Sequence, residues 1–188
     1  TFGTLAVMLS LLGLVGIIDG RSVARDYVNG DFVPDRAAFR FTPNEHGSYT
    51  VSRVPFEFDP ELGPTLEVPY GSSRRAALPF SFPFFGVAHE AVHVLSAPMV
   101  FVGDVRGESG WGGYHPRPAI APVMMNLDPD AGGSIHVKNG AEEETVTWFE
   151  IPELGRDSKN TVQLLLRKDG VFEFRYAELD PDPGNRSY

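Results

Sequence analysis

Phe80, Phe82 and Phe84 alternate with Ser81 and Pro83 in the run Leu78–Gly86, LPFSFPFFG. A period of two puts the three rings on one face of a β-strand, and Phe85-Gly86 supplies the turn that ends it. Beyond the turn, Val92, Val94 and Val100–Val102 are β-branched and suit a returning strand. The stretch Leu78–Gly103 therefore reads as the central β-hairpin of an all-β domain. The 20 glycines, 16 prolines and 14 phenylalanines of the chain agree with short strands, many turns and a Phe-rich core.

A second reading competes for the same residues. His89-Glu90-Ala91-Val92-His93 spells HExxH, which on a helix places two imidazoles on one face to bind zinc while the glutamate activates water. The surroundings argue against a zinc hydrolase. Ser96 and Met99 stand where a metzincin carries its glycine and third histidine, and a helix would be confined between Gly86 and Pro98. Glu108, a more distant candidate ligand, lies in the Gly-rich loop Gly103–Pro118 rather than on a following helix. We expect His89 and His93 not to share a metal, and the segment to be extended at least through Val92–Leu95.

Further strands are expected at Tyr49–Phe58, where the proline suits a sheet edge, and at Thr65–Tyr70. Gly71–Arg75 reads as a polar loop and Ala119–Leu127 as an apolar run. Ser134–Val137 precedes an Asn139-Gly140 hairpin signal. Thr145–Ile151, Asn160–Arg167 and Val171–Tyr176 follow, the last two joined by Lys168-Asp169-Gly170. On the first of these, Val146, Trp148 and Glu150 share one face and Thr147, Phe149 and Ile151 the other. Both faces carry apolar bulk, so an inner strand with Trp148 buried is expected.

Few residues invite chemistry. Cysteine is absent, which removes disulfides, thiolate nucleophiles and Cys-type zinc sites. A formal charge of −9 disfavours nucleic acid as a partner. Asp128 and Asp130 beside Gly132, and Asp180 with Asp182, lack the ligand ladder of a calcium loop and suit turns. Ser96 and Ser134 have no nucleophile elbow around them, and Glu142–Glu144 reads as a solvated loop. No catalytic, metal-binding or cofactor-binding residue is assigned, and no cofactor is expected.

Phe2–Ile18, FGTLAVMLSLLGLVGII, carries no charge. As a helix it would measure about 25 Å, near the lower limit for crossing a bilayer. A cleaved signal peptide with Ser22-Val23-Ala24 at its processing site, a buried soluble helix and a retained anchor are the alternatives. We expect the anchor. Gly3, Ala6, Ser10, Gly13 and Gly16 recur at spacings of three and four and form a candidate helix–helix contact. Arg21 and Arg25 are offset by Asp19 and Asp26, so charge leaves the orientation open. The resulting layout is a transmembrane anchor at 1–20, a linker at 21–48, a β-sandwich at 49–179 and a tail at 180–188.

The order LPFSFPFFG, VHVLS, IAPVMMNLDPDAGGSI, VTWFEIP and NTVQLLLRKDGVFEFRY resembles a β-domain of exported bacterial proteins related to the nidogen-type extracellular domain. Ile120-Ala121-Pro122, Leu127-Asp128, Val146-Thr147-Trp148, Gln163 and Asp169-Gly170 carry the likeness, over roughly residues 49–176. Met124-Met125 and Ala97-Pro98 depart from the pattern. The resemblance implies an extracytoplasmic sandwich used in adhesion or assembly, with no catalytic residues to carry over. The fold expected is thus mainly β, an antiparallel β-sandwich preceded by one N-terminal transmembrane α-helix. The function expected is that of a non-catalytic, single-pass accessory subunit. Its partners would be the subunits of an integral membrane protein complex, respiratory or photosynthetic for instance, with lipid around the helix and the sandwich on the periplasmic side. The alternative is a secreted or surface adhesion module that binds protein or glycan.

Overall fold

The computed structural model describes residues 36–103 and 118–180, together with three strands nearer the N-terminus. In chain order the strands are β1 (Ala6–Ser10), β2 (Gly13–Ile18), β3 (Arg21–Arg25), β4 (Ala37–Pro43), β5 (Tyr49–Val54), β6 (Ser73–Phe84) and β7 (Val87–Leu95). They continue with β8 (Val100–Val102), β9 (Ala119–Ala121), β10 (Ser134–Asn139), β11 (Glu143–Ile151), β12 (Asn160–Arg167) and β13 (Phe172–Glu178). One sheet has the order β3-β2-β1-β9-β8-β7-β6 and the other β10-β11-β12-β13-β4-β5. Every pairing is antiparallel except that of β1 with β9.

The two sheets close on one core. Alternating residues of β6 (Ala76, Leu78, Phe80, Phe82, Phe84) point into it, as the Phe spacing requires. They meet Val146 and Trp148 of β11, Val162, Leu164 and Leu166 of β12, and Phe172, Phe174 and Tyr176 of β13. Phe172 stacks on Phe41 at 4.5 Å between ring centroids and also meets Tyr49 at 5.0 Å and Phe84 at 6.2 Å. β6 therefore touches β10 and β11 along one part and reaches β13 and β5 with its tip, lying across the strands of the second sheet. The Tyr176 hydroxyl donates to the Pro122 carbonyl at 2.6 Å and adds a polar tie between the sheets.

The N-terminal membrane helix is overturned. Among the described residues there is no helix, and none long and apolar enough to cross a membrane. Phe2–Ile18 instead supplies β1 and β2, with Val7 opposite Gly16 and Ala6–Met8 running beside Ala119–Ala121. Of the expected helix–helix contact, Ala6 and Ser10 lie in β1 and Gly13 and Gly16 in β2, while Gly3 is outside the described residues. The physical reason is local. An unbroken apolar run fits an inner strand as well as a helix, and periodicity alone does not separate them. Val7, Val15, Ile17 and Ile18 are β-branched, and each interior glycine costs a helix about 1 kcal/mol relative to alanine. Ile18 pairs with Arg21 across a two-residue gap occupied in the sequence by Asp-Gly, a pair favoured in tight hairpins.

Other details differ as well. Residues 37–43, placed in the linker, form β4, set between β13 and β5 with Ala37, Ala38, Phe39 and Phe41 buried. Thr65–Tyr70 makes only a single bridge, Thr65 with His136. Ser73–Arg75, expected in a loop, begins β6. Trp148 is fully buried on an inner strand as expected, but Ile151 is on the core side with it. Phe149 and Glu150 together face Thr161, a bulge in which Glu150 takes φ +50° and its N–H is satisfied by the Thr161 hydroxyl at 3.1 Å.

Candidate functional site

The outer face of the six-stranded sheet is polar and is crossed by a strap. After β5 the chain runs from Pro55 over this face to the opposite edge, where Val137 N–H donates to Pro64 O at 3.1 Å and Leu66 N–H to Ile135 O at 2.7 Å. Gln163, fully buried in the middle of β12, holds the strap at its centre. Its Oε1 accepts from Asp59 N–H at 3.0 Å, and its Nε2 donates to Asp59 O at 2.9 Å and to Thr147 Oγ1 at 3.1 Å. An amide offers one donor end and one acceptor end, so it pairs with a backbone unit as a neighbouring strand would. Gly63 permits the final approach. At φ +79° it presses so close to β10 that an added Cβ would sit 2.8 Å from Val137 O.

Charges are organised around this strap. Lys138 Nζ meets Asp59 Oδ2 at 2.7 Å and Glu61 Oε2 at 3.3 Å. Burial pushes the Asp59 carboxyl up, but Lys138, the Glu61 N–H and the more distant charge of Arg175 outweigh it and hold it below the usual range. Beside Gln163 on the same face, the buried Glu173 takes Arg40 Nε on one oxygen at 2.7 Å and Arg175 Nη2 on the other at 3.1 Å.

At the β10 edge, Ser134 Oγ lies 2.8 Å from His136 Nε2, and His136 Nδ1 lies 3.0 Å from Gly63 O. With the carbonyl accepting from Nδ1–H, Nε2 faces the hydroxyl as an acceptor, the order found in nucleophile–base–orienter sets. The backbone next to Ser134 is unsuited to an oxyanion. A Cβ on Gly133 would lie 2.5 Å from Phe149 O and 2.7 Å from Glu150 O, so carbonyl oxygens crowd the place where donors are needed.

The HExxH residues occupy β7, as the extended reading expected. His93 lies four steps along the strand from His89, about 13 Å at the usual rise, far beyond what one zinc spans. The His89 ring packs on Gly103, and burial lowers its pKa. Asp128 accepts from Asp130 N–H at 3.1 Å, which is turn chemistry, and Asp130 accepts from Tyr70 N–H at 3.1 Å, which ties this turn to the segment before β6. Ser96 Oγ accepts from Gly71 N–H, and Asp180 N–H donates to Asn160 Oδ1. Glu108 and Asp182 lie outside the described residues. Glu144 departs from expectation. It is fully buried on the core side beside Leu166, neither carboxyl oxygen has a hydrogen-bond partner, and burial pushes its pKa up to about 8.

The sheet edges are treated unequally. β10 is capped by Pro64–Leu66, and β6 carries Pro79, Pro83 and an irregularity between Ala77 and Phe82. Among the described residues β5 has neither device, and Thr50–Arg53 are exposed along it. Asn44 N–H donates to Ser48 O at 2.8 Å and Pro43, which has no N–H, stands opposite Tyr49. Antiparallel alternation then gives Thr50, Ser52 and Val54 the bonds to β4 and turns the backbone N–H and C=O of Tyr49, Val51 and Arg53 outward. Among the described residues no other backbone bond to these three occurs. The alternation of Tyr49–Val54 was legible in sequence, whereas its place at the end of the six-stranded sheet required the topology.

Comparison with models of protein families, with curated proteins and with solved structures finds no match.

Proposed function

We propose that this chain is a non-catalytic β-sandwich module that binds other polypeptides outside the cytoplasm, in adhesion or assembly, through the open edge of β5. The observation that carries this reading is the outward-turned backbone of Tyr49, Val51 and Arg53 on a strand that, among the described residues, has none of the prolines, bulges and caps found on β6 and β10. Such an edge selects extended polypeptide, because only another strand matches its spacing of donors and acceptors. The resemblance to exported nidogen-type domains supports the extracytoplasmic setting. The membrane-subunit reading drew its force from Phe2–Ile18 as a helix, and the adhesion reading takes precedence with strands there.

The test compares the chain with its Val51→Pro variant on immobilised surface-protein extracts and on a glycan array. Protein binding that Val51→Pro abolishes supports the reading. Binding to glycans alone, or protein binding indifferent to the substitution, overturns it.

A further inference from the structure

We infer that β5 is self-complementary and that its partner is β5 of a second copy of this chain, paired antiparallel about a two-fold axis through Val51. This rests on the reading of β5 as a binding edge and names the occupant.

The argument is one of register. A two-fold axis perpendicular to the sheet keeps each residue on its own face, so it pairs positions of equal parity. Centred on Val51, it sets Val51 against Val51 and Tyr49 against Arg53 in both directions. It also sets Thr50 against Ser52. All three outward residues then exchange N–H···O bonds with an outward residue of the partner. Centring on Thr50 leaves Arg53 without a partner, and centring on Ser52 leaves Tyr49 without one. The side chains agree with the backbone. Val51, 36% exposed despite its apolar surface, is covered by its own image. Arg53, the strand's only charge, lies against the ring of Tyr49 rather than against another arginine. The Thr50–Ser52 pair suits hydroxyl contacts on the opposite face. The product is one continuous sheet running from β10 of one copy to β10 of the other, each outer end capped by Pro64–Leu66.

A contact of one short strand is small, so the dimer forms and dissociates with concentration. Sedimentation of the full chain from about 10 μM to about 1 mM is expected to show a rising dimer fraction. Val51→Lys, which opposes two like charges on the axis, is expected to remove it. Val51→Pro is expected to do the same while keeping the thermal melt, since it deletes an N–H that does not bond β4. The chain has no native cysteine, which makes the register readable. Hydrogen-bonded antiparallel positions lie about 5.5 Å apart, within disulfide range. Val51→Cys should therefore cross-link to itself under mild oxidation. Tyr49→Cys and Arg53→Cys should cross-link to each other when mixed and not to themselves. A chain that stays monomeric throughout, or cross-links formed equally by all three single variants, overturns the inference. If the monomer still binds another protein in a Val51→Pro-sensitive way, the binding-edge reading stands and only the homotypic partner is lost.

Discussion

The indole Nε1–H of Trp148 donates to the backbone carbonyl of Leu95 at 2.9 Å. The bond crosses from an inner strand of the six-stranded sheet to the end of β7 in the other, inside a fully buried environment. Trp148→Phe keeps most of the packing but leaves the carbonyl without its donor, and should cost about 1–3 kcal/mol. Trp148→Ala also opens a cavity and should cost roughly 3–5 kcal/mol. Urea denaturation of both variants checks the order, and a loss below about 1 kcal/mol for alanine would contradict the burial.

Glu144 makes stability fall as pH rises. Its folded pKa of about 8 lies above the ordinary 4.5, so the folded chain retains a proton that the unfolded chain releases. Its contribution is intact below the unfolded value and is lost as pH climbs to the folded one. The loss is on the order of 3–5 kcal/mol. Glu144→Leu should raise the urea midpoint above that window and flatten its pH dependence. An unchanged slope would mean that the carboxyl reaches water.

Gln163→Leu should free the centre of the strap. Asp59 N–H and C=O lose both partners, for a cost of about 1–3 kcal/mol. Hydrogen exchange should quicken at Asp59 and Glu61, while amides of the β12–β13 ladder stay protected. Lys138→Met removes only the ion pairs to Asp59 and Glu61 at the rim and should leave exchange at Asp59 and Glu61 nearly unchanged. Equal effects from the two would show that the strap is held by charge rather than by the buried amide.

Val15→Pro tests the strand assignment of the N-terminal run. β2 is paired on both sides, Val15 lying opposite Met8 and Ala24, so proline removes a ladder bond wherever its N–H points. Trypsin cleavage after Arg21 and Arg25 should accelerate in the variant. Unchanged protection would contradict a three-stranded N-terminal ladder.

What could be read from the residues follows from how local each signal was. The Phe80-Phe82-Phe84 spacing declared its strand by alternation, and Asn160–Arg167 declared its own by a short apolar run that stops at the Lys168-Asp169-Gly170 turn. β4 was hidden because Ala37 and Ala38 are poor strand formers and turn residues precede them. Its place is secured by Phe39 and Phe41 meeting Phe174 and Phe172 across the ladder. Ile151 was assigned to the wrong face because a bulge changes parity and leaves no mark in the pattern. The N-terminal run failed for a different reason, since hydrophobicity without period fits both a helix and an inner strand. The strap lay deeper still. Gln163 and Asp59 are 104 positions apart, and nothing near either residue announces the other.

The placement of β4 also orders events in time. Arg40 of β4 and Glu173 of β13 are joined although 133 positions separate them. On a ribosome, β4 would emerge early and wait for almost the whole domain before its neighbour on that side exists. Its apolar face would be exposed throughout, as would β5, which completes a hairpin with it but not a sheet. Pairings between such distant segments put a chain among slow folders. A nascent chain of this design is exposed to wrong partners and to chaperones until its final described strand arrives and locks the first half of the sheet into place.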